Sequence, residues 1–335
     1  MGNTYGKISG MTACVVMVTL FSAGGAMAAT VSLKLGHVGA PESPQQTIGA
    51  LFAGKVAEYS DKSVDIKIFN SSALGNERQL QEGVRSGTVD LTIAGTFSHF
   101  VPWAGVLETP LLYRDLKHFV DFYSGPDSEG FLKAFSADAR VVPLFIVPHG
   151  GFRYITVKGD DIKAPDDLKG VKIRNPNVPA FNVMAQVVEA IPVPIDFSEL
   201  YVALQRGVVQ GQHNPIGNIV GARLYEVQDS LSMVPWGISP HIVSMSERAW
   251  KRLSTVQQAA IRKAAAETAK EYPAIAVGEE NKQLDKIRDQ IKIIPPQDLD
   301  MDAFGKVFRD KGVPALKKEY GDAGGQWLDK IIAFQ

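Results

Sequence analysis

The sequence predicts an α/β protein of two lobes, each built on a mostly parallel sheet with helices on its faces. Two observations support this fold class. Short strand-like runs alternate with helix-like runs along most of the chain, which is the order that βαβ units produce. The chain also has 335 residues. A single hydrophobic core usually divides beyond about 250–300 residues, so two domains are expected.

The first βαβαβ run begins at Val31–His37, which alternates apolar and polar residues as a half-buried strand does. Gln45–Ser60 follows with apolar residues at helical spacing. The run continues with a predicted strand at Val64–Phe69, a helix at Gly75–Arg85 and a strand at Asp90–Ile93.

The second half of the chain repeats this alternation. Strands are predicted at Val141–Val147, Tyr154–Val157, Val171–Arg174, Val193–Ile195 and Val208–Gln212. Helices are predicted at Pro179–Glu189 and Phe197–Arg206.

The longest helical segment is Thr255–Leu284, which is rich in the helix formers Ala, Glu, Lys and Gln. Pro273 falls inside it and should kink or break a helix there. The residues therefore fit either one helix that braces both lobes or two separate surface helices. The tail, Asp300–Phe334, is predicted to be helical with breaks at Pro314 and at Gly324-Gly325.

The first 28 residues predict a secretory signal peptide. They contain one basic residue, Lys7, then the apolar run Met11–Phe21 and an Ala-x-Ala site that ends at Ala28. Cleavage near Ala28 predicts an exported, periplasmic protein. The single cysteine, Cys14, would leave with the peptide, so the mature chain should hold neither a disulfide nor a thiolate site.

Charge and motifs argue against several classes of function. The 35 Lys and Arg nearly balance the 36 Asp and Glu, and without a basic stripe nucleic acid is not expected as a partner. The sequence has no H-x-x-x-H pair, no phosphate-binding G-x-x-x-x-G-K-[ST] loop and no G-x-S-x-G elbow. No enzyme, metal or cofactor is therefore expected. A periplasmic enzyme that uses His213 or His149 on a carboxylated substrate is the alternative.

Two polar residues lie where predicted strands end, at the edge where open α/β sheets bind ligands. Arg174 is the last residue of its strand, and Asn214 follows the strand Val208–Gln212. A guanidinium matches a carboxylate with two parallel hydrogen bonds, and an Asn amide can donate to the same group. The pair therefore suits an anionic ligand. A surface salt bridge at Arg174 and an ordinary turn at Asn214 are the plainer alternatives.

These residues lie in segments that resemble the DctP-like periplasmic solute-binding subunits of TRAP transporters. The resemblance covers nearly the whole mature chain and depends on the order and spacing of five segments. They are Leu74–Arg78, Gly150–Arg153, Asp166–Arg174, Phe197–Pro215 and Tyr225–Gln228.

The resemblance implies a two-lobed flytrap with a long helix across both lobes. We place lobe I at residues 29–150 plus about 240–279, and lobe II at residues 151–239 plus about 280–335. Hinge strands are expected near Ile146–Tyr154 and Gly237–Val243. The implied partners are the small and large membrane subunits of a TRAP transporter, and the binding protein is expected to be a monomer.

The resemblance also implies roles for individual residues. Arg174 matches the arginine that pairs with the ligand carboxylate in the family. Asn214 matches the asparagine beside that arginine, and Arg153 matches a second arginine near the ligand. Phe197 matches an aromatic residue that packs over the ligand, and Glu77 lies in a matching motif. The family commonly has Asp and Glu where this chain has Gln210 and His213, and His213 is counted with the ligand-binding candidates.

Two loops of the first lobe are candidates for contacts with the rest of the ligand. They contain His37 and Phe97, although both loops could equally be plain connections. The predicted function is capture of a small organic acid for a TRAP transporter. Dicarboxylates of four carbons, sugar acids, keto acids and aromatic acids all remain possible ligands. A binding protein that serves a sensor or an ABC transporter is the alternative.

Overall fold

The structure is a computed structural model that describes residues 1–6 and 30–334. Most of the predicted signal peptide, its cleavage site near Ala28 and Cys14 lie outside the described residues. In the part that is described, none of the helices combines the length and apolar character needed to cross a membrane.

Within residues 30–334 the strands form two sheets. The strands are β1 (Val31–Gly36), β2 (Val64–Phe69), β3 (Leu91–Ala94), β4 (Val142–Pro148), β5 (Arg153–Val157), β6 (Lys172–Asn175), β7 (Ile191–Pro194), β8 (Gly211–Pro215), β9 (Ser230–Gly237), β10 (Pro240–Met245) and β11 (Lys292–Ile294). The first sheet has the order β2-β1-β3-β10-β4, and the second has the order β11-β9-β5-β8-β6-β7.

Helices cover the faces of both sheets. They are α1 (Pro44–Tyr59), α2 (Glu77–Ser86), α3 (Leu116–Ser124), α4 (Pro126–Ala139), α5 (Pro179–Val187), α6 (Leu200–Gln205), α7 (Ile216–Gly221), α8 (Glu247–Lys251), α9 (Thr255–Ile287), α10 (Met301–Val307) and α11 (Val313–Ala333). Local sequence explains several of their starts. Asn76, for example, forms a capping box with Gln79 at the start of α2.

The predicted α/β fold of two lobes is confirmed, although both sheets are mixed. Strands β1, β2 and β3 are parallel, as are β6, β7 and β8. One strand in each sheet, β10 in the first and β5 in the second, runs antiparallel to its neighbours. Each of these strands directly follows a loop by which the chain crosses from the other lobe. β10 is antiparallel to β3 and β4, and β5 is antiparallel to β8 and β9.

The chain passes between the sheets at residues 149–152 and 238–239, inside the two segments predicted as hinges. The two connections lie side by side, because the backbone N–H of His149 donates to the carbonyl of Ser239 at 2.8 Å. Helix α9 links the lobes a third time. It packs on α1 and β4 of the first lobe and on α7 of the second. A single bracing helix is therefore present, and it continues through Pro273.

Each sheet has its own apolar core, and a further cluster joins the lobes. Leu33, Phe52 and Ile261 belong to the first core, and Leu204 and Ile287 belong to the second. Helix α11 packs on α5 of the second lobe and also on the 3-10 helix at residues 102–108. The end of the chain therefore contacts both lobes, and the lobe boundaries given above remain a proposal.

The structure corrects two local predictions. Strand β8 begins at Gly211 and not at Val208, so Asn214 lies inside the strand. The tail breaks at Gly321, which has a φ of 60°, and not at Pro314 or Gly324-Gly325. Pro314 lies in the first turn of α11, directly after a π-helical turn at residues 308–312, and the helical path continues through it.

Candidate functional site

A cavity lies between the two lobes, beside the two connections. Counted to its open mouth and with the solvent space there included, it holds about 850 Å³. The second lobe contributes Arg153, Arg174 and Asn214, and the first contributes Glu77 and Glu108. The charged side chains of two lobes therefore meet in one small volume.

Arg174 extends from β6 into this cavity and is only 2% exposed. Its Nε donates to the carbonyl of Ile195 at 2.8 Å. Within the described part of the chain, neither Nη atom has a hydrogen-bond partner. Burial and the nearby charge of Arg153 lower the pKa of Arg174 to about 9, so it is cationic at neutral pH. The two Nη groups form a fork that suits a carboxylate.

Arg153, the first residue of β5, is 4% exposed and held by several acceptors. Its Nε donates to Nδ1 of His213 at 2.8 Å. Its Nη2 donates to the carbonyl of His213 at 2.6 Å and to Oδ1 of Asn214 at 3.1 Å. Burial lowers the pKa of Arg153 to about 10. Arg153 is therefore a fixed positive charge in the cavity wall, and Arg174 has fewer hydrogen-bond partners than Arg153.

His213 does not line the cavity but lies behind Arg153 with no exposed surface. Its Nδ1 accepts from Arg153, so Nε2 carries the proton and donates to Oδ1 of Asn175 at 3.0 Å. Burial and the two arginines lower the pKa of His213 well below its usual value, so the ring is neutral. The expected direct contact with a ligand is thus corrected. His213 positions Arg153 from behind.

Asn214 does line the cavity, although both the oxygen and the nitrogen of its amide already form hydrogen bonds. Its Oδ1 accepts from Arg153, and its Nδ2 donates to Oε1 of Gln212 at 2.6 Å. Gln212 in turn donates to Oγ1 of Thr156 at 2.8 Å. This chain of buried amides fixes the orientation of Arg153. Phe197 lines the cavity and is half-buried, and its contact with a ligand stays a prediction.

Two carboxyl groups of the first lobe converge on the turn after β3. Oε1 of Glu77 accepts from the backbone N–H of Gly95 at 2.8 Å. Oε1 of Glu108 accepts from the N–H and the hydroxyl of Thr96, at 3.0 and 2.7 Å. Burial, and then the charge of Glu77, raise the pKa of Glu108 to about 7, and burial raises the pKa of Glu77. Sequence reasoning missed Glu108, although an acid inside the apolar run of residues 101–112 was a signal.

The other two first-lobe predictions have different outcomes. Phe97 lines the cavity, and its ring also packs edge-on against Phe135 with centroids 5.4 Å apart. His37 has no exposed surface and does not line the cavity, and its Nε2 lies 3.2 Å from Oε1 of Gln46. Its expected ligand contact is therefore corrected. The adjacent residue, Val38, reaches the cavity wall instead.

The end of the cavity nearest the crossings carries neutral polar side chains that sequence reasoning did not assign to the ligand. The rings of His149 and His241 stack with centroids 3.8 Å apart. Nδ2 of Asn218 lies 3.1 Å from Nε2 of His149. Burial lowers the pKa of His241 to about 3 and that of His149 well below its usual value, so both are uncharged. In the chain as described, no three His, Cys, Asp or Glu side chains are grouped to hold a metal ion.

The two lobes touch at the mouth of the cavity. Nδ2 of Asn76, at the start of α2, donates to Oδ2 of Asp196 at 2.8 Å, and Asp196 follows β7 of the other lobe. We call this contact the mouth bridge. The molecule is therefore in a closed arrangement.

Two α/β lobes joined by paired crossings, with a polar cavity between them, define a flytrap-type ligand-binding protein. Comparison with known proteins identifies the family. The model of the bacterial extracellular solute-binding protein family 7 (DctP) matches residues 35–311. The chain therefore belongs to this family, and the resemblance found in its sequence is confirmed.

Relatives and solved structures agree with this assignment. A solute-binding protein of Roseobacter denitrificans is 33% identical over 267 residues, which are 79% of this chain and 81% of the relative. The 2,3-diketo-L-gulonate-binding periplasmic protein of Escherichia coli is 28% identical over 318 residues, 92% of this chain and 96% of its own. A TRAP periplasmic solute-binding protein of Polaromonas, bound to D-erythronate, superposes with a TM-score of 0.84 at 26% identity. That match covers 91% of this chain and 99% of the other.

Proposed function

We propose that this protein captures a small organic acid in the periplasm and delivers it unchanged to the membrane subunits of a TRAP transporter. One observation carries the proposal. Arg174 is buried in the cavity between the lobes, and its two Nη groups have no partner among the described residues. A ligand carboxylate can supply the two acceptors that this fork lacks.

The surrounding residues support the same reading. Arg153 adds a second positive charge that His213 and Asn214 hold in place, and Phe197 offers an apolar surface at the same wall. Closure of the lobes excludes water, and an ion pair strengthens when water is excluded. A solved relative supports an acidic ligand as well. The solute-binding protein structure from Roseobacter denitrificans, which matches with a TM-score of 0.82, contains bound L-galactonate.

The remaining parts of the proposal follow from the family. We propose export by the signal peptide up to Ala28, function as a monomer, and transfer of ligand to the small and large TRAP subunits. We also propose that the protein is not an enzyme, so the ligand should be recovered chemically unchanged after prolonged incubation.

The test is isothermal titration calorimetry of the mature protein against a library of organic acids, with Arg174→Gln as the variant. Loss of a buried charged partner costs about 2–5 kcal/mol, so the affinity for the best acid should fall about thirtyfold or more. Arg206→Gln removes an exposed arginine at the end of α6 and is the matched control. An Arg174→Gln variant that stays folded and binds like the parent protein would contradict the proposal.

A further inference from the structure

A second cavity lies on the opposite side of the first crossing from the cavity described above. Thr47, near the start of α1, lines it from the first lobe, and Ile216, at the start of α7, lines it from the second. Tyr272 and Ala276 of α9 form its outer wall. We call this space the rear cavity. With the solvent space at its opening included, it holds about 400 Å³.

A layer one residue thick separates the rear cavity from the cavity between the lobes. In three pairs of adjacent residues, one member lines the cavity between the lobes and its neighbour lines the rear cavity. The pairs are Gln45 with Pro44, His149 with Gly150, and Asn218 with Gly217. The first pair belongs to α1, the second to the first crossing and the third to α7. The layer therefore contains residues of both lobes and lies where the lobes join.

The two lobes touch within this layer at the ring of Pro44. A Cβ atom on Gly217 would lie 3.1 Å from Cδ of Pro44, and a Cβ atom on Gly150 would lie 3.1 Å from Cγ of the same ring. Both distances are shorter than ordinary contacts between carbon atoms, so the backbone at these glycines lies directly against the ring. The layer is therefore a fulcrum. When the lobes turn about a fulcrum, the space on one side widens and the space on the other side narrows.

From this arrangement, and resting on the function proposed above, we infer that the rear cavity sets the balance between the open and closed forms of the protein. Opening of the lobes for a ligand brings the start of α7 closer to the start of α1 behind the fulcrum, so the open form uses space that the closed form leaves free. A side chain that fills this space fits the closed form but is overpacked in the open form. Such a change shifts the population towards the closed form without touching a ligand.

The experiment measures the distance between the lobes in the mature protein, free of ligand, by double electron–electron resonance. Cys14, the single cysteine, lies in the predicted signal peptide, so two introduced cysteines are the only sites for the spin labels. Glu82→Cys on α2 and Glu199→Cys after β7 place the labels on opposite sides of the mouth. Both side chains are exposed.

Variants change the size of the rear cavity in both directions. Thr47→Phe fills it from the first lobe, so the ratio of closed to open molecules should rise about tenfold. Thr47→Val is the matched control, because it keeps the size and removes only the hydroxyl, which lies 3.5 Å from the carbonyl of Ser43. Ile275→Ala enlarges the cavity from α9 and should lower the ratio. Val277→Ala, on the exposed side of the same helix, should leave the ratio unchanged.

Changes in both directions make a shift visible whichever form the parent protein prefers. The expected shift in Thr47→Phe or Ile275→Ala, without a shift in its control, supports the inference. Unchanged ratios in both folded variants overturn it, and so does a shift of opposite sign in either. Thr47→Leu is the second variant if Thr47→Phe fails to fold. Because no ligand is added, these outcomes are separate from the calorimetric test of the proposed function, which can fail or succeed on its own.

Discussion

At the residue scale, His213 determines how strongly the positive charge of Arg153 attracts a ligand in the cavity. The family resemblance implies a glutamate at this position, which would offset the charge of Arg153. The neutral imidazole accepts the same hydrogen bond from Nε at 2.8 Å without adding negative charge. The positive potential of Arg153 therefore persists in the cavity. A neutral side chain at this position favours an anionic ligand.

Glu108 leads to a prediction about pH. Its pKa in the folded protein is about 7, above the ordinary 4.5, because it is buried beside Glu77. As pH rises from 4.5 to 7 the unfolded chain loses this proton first, so stability falls over that window and stays lower above it. Glu108→Gln removes this effect while an oxygen still accepts from Thr96. Between pH 4.5 and pH 8, the free energy of unfolding of the variant should rise by up to about 3 kcal/mol relative to that of the parent protein.

The measurement is the melting temperature of both proteins, free of ligand, from pH 4.5 to pH 8. The difference between variant and parent should grow by several degrees across this range and level off above pH 7. Glu82→Gln, which removes one exposed carboxylate from α2, is the control. A constant difference for Glu108→Gln would show that Glu108 does not titrate between these limits.

At the scale of elements, the mouth bridge joins the start of α2 to the segment after β7. Asn76 caps α2 with its Oδ1, which accepts from Gln79 N–H at 2.9 Å, and bridges to Asp196 with its Nδ2. Asn76→Asp keeps the cap but places two carboxylates face to face. A single exposed hydrogen bond contributes about 1 kcal/mol, and repulsion adds to its loss. We expect the ligand dissociation rate to rise about tenfold.

The double variant with Asn76→Asp and Asp196→Asn separates the bridge from the general effect of charge. It exchanges the two side chains, keeps the total charge and restores the hydrogen bond. Its ligand dissociation rate, measured by stopped-flow fluorescence, should return close to that of the parent protein. A rate as fast as that of Asn76→Asp alone would show that the bridge does not hold the lobes closed.

Sequence reasoning was most successful for elements with strong periodicity, such as α2 and β2, and less successful where tertiary contacts decide. Val208 looked like the start of a strand, yet its side chain is 52% exposed and pairing begins only at Gly211. The partner strands that set this register, β5 and β6, lie far away in sequence. The role of His213 likewise depends on Arg153, 60 residues before it. No local pattern contains that contact.

Among the site residues, the arginines were predictable because strand ends and family motifs mark them. Glu108 and the neutral side chains at the crossing end of the cavity were not, because their roles arise only when separate segments meet. Asn218 of α7 and His149 of the first crossing, for example, lie 69 residues apart in sequence and contact each other at 3.1 Å. Burial then fixes the charge state of each group, and burial cannot be read from spacing alone.

At the scale of the whole molecule, three chain segments join the lobes, and two of them interact at the first crossing. Glu280 of α9 accepts from the hydroxyl of Tyr154 at 2.8 Å, just after that crossing. A Cβ atom on Gly151, inside the crossing, would overlap the carboxylate of Glu280, so that side chain would have to move. Its neighbour Gly150 has a φ of 74°, which favours glycine. The crossing therefore depends on Gly150 for its backbone conformation and on Gly151 for its close contact with the bracing helix.

Gly151→Ala should force the carboxylate of Glu280 away from Tyr154. Loss of the hydrogen bond between these two side chains costs about 1 kcal/mol, so the melting temperature should fall by a few degrees. Glu280→Ala should lower it too, by removing the bond to Tyr154. Because the two changes act on one contact, adding Gly151→Ala to Glu280→Ala should cost little more, and a double-mutant cycle measures this coupling. Additive losses in melting temperature would mean that the crossing tolerates a larger side chain independently of α9, and that the bracing helix does not constrain the hinge.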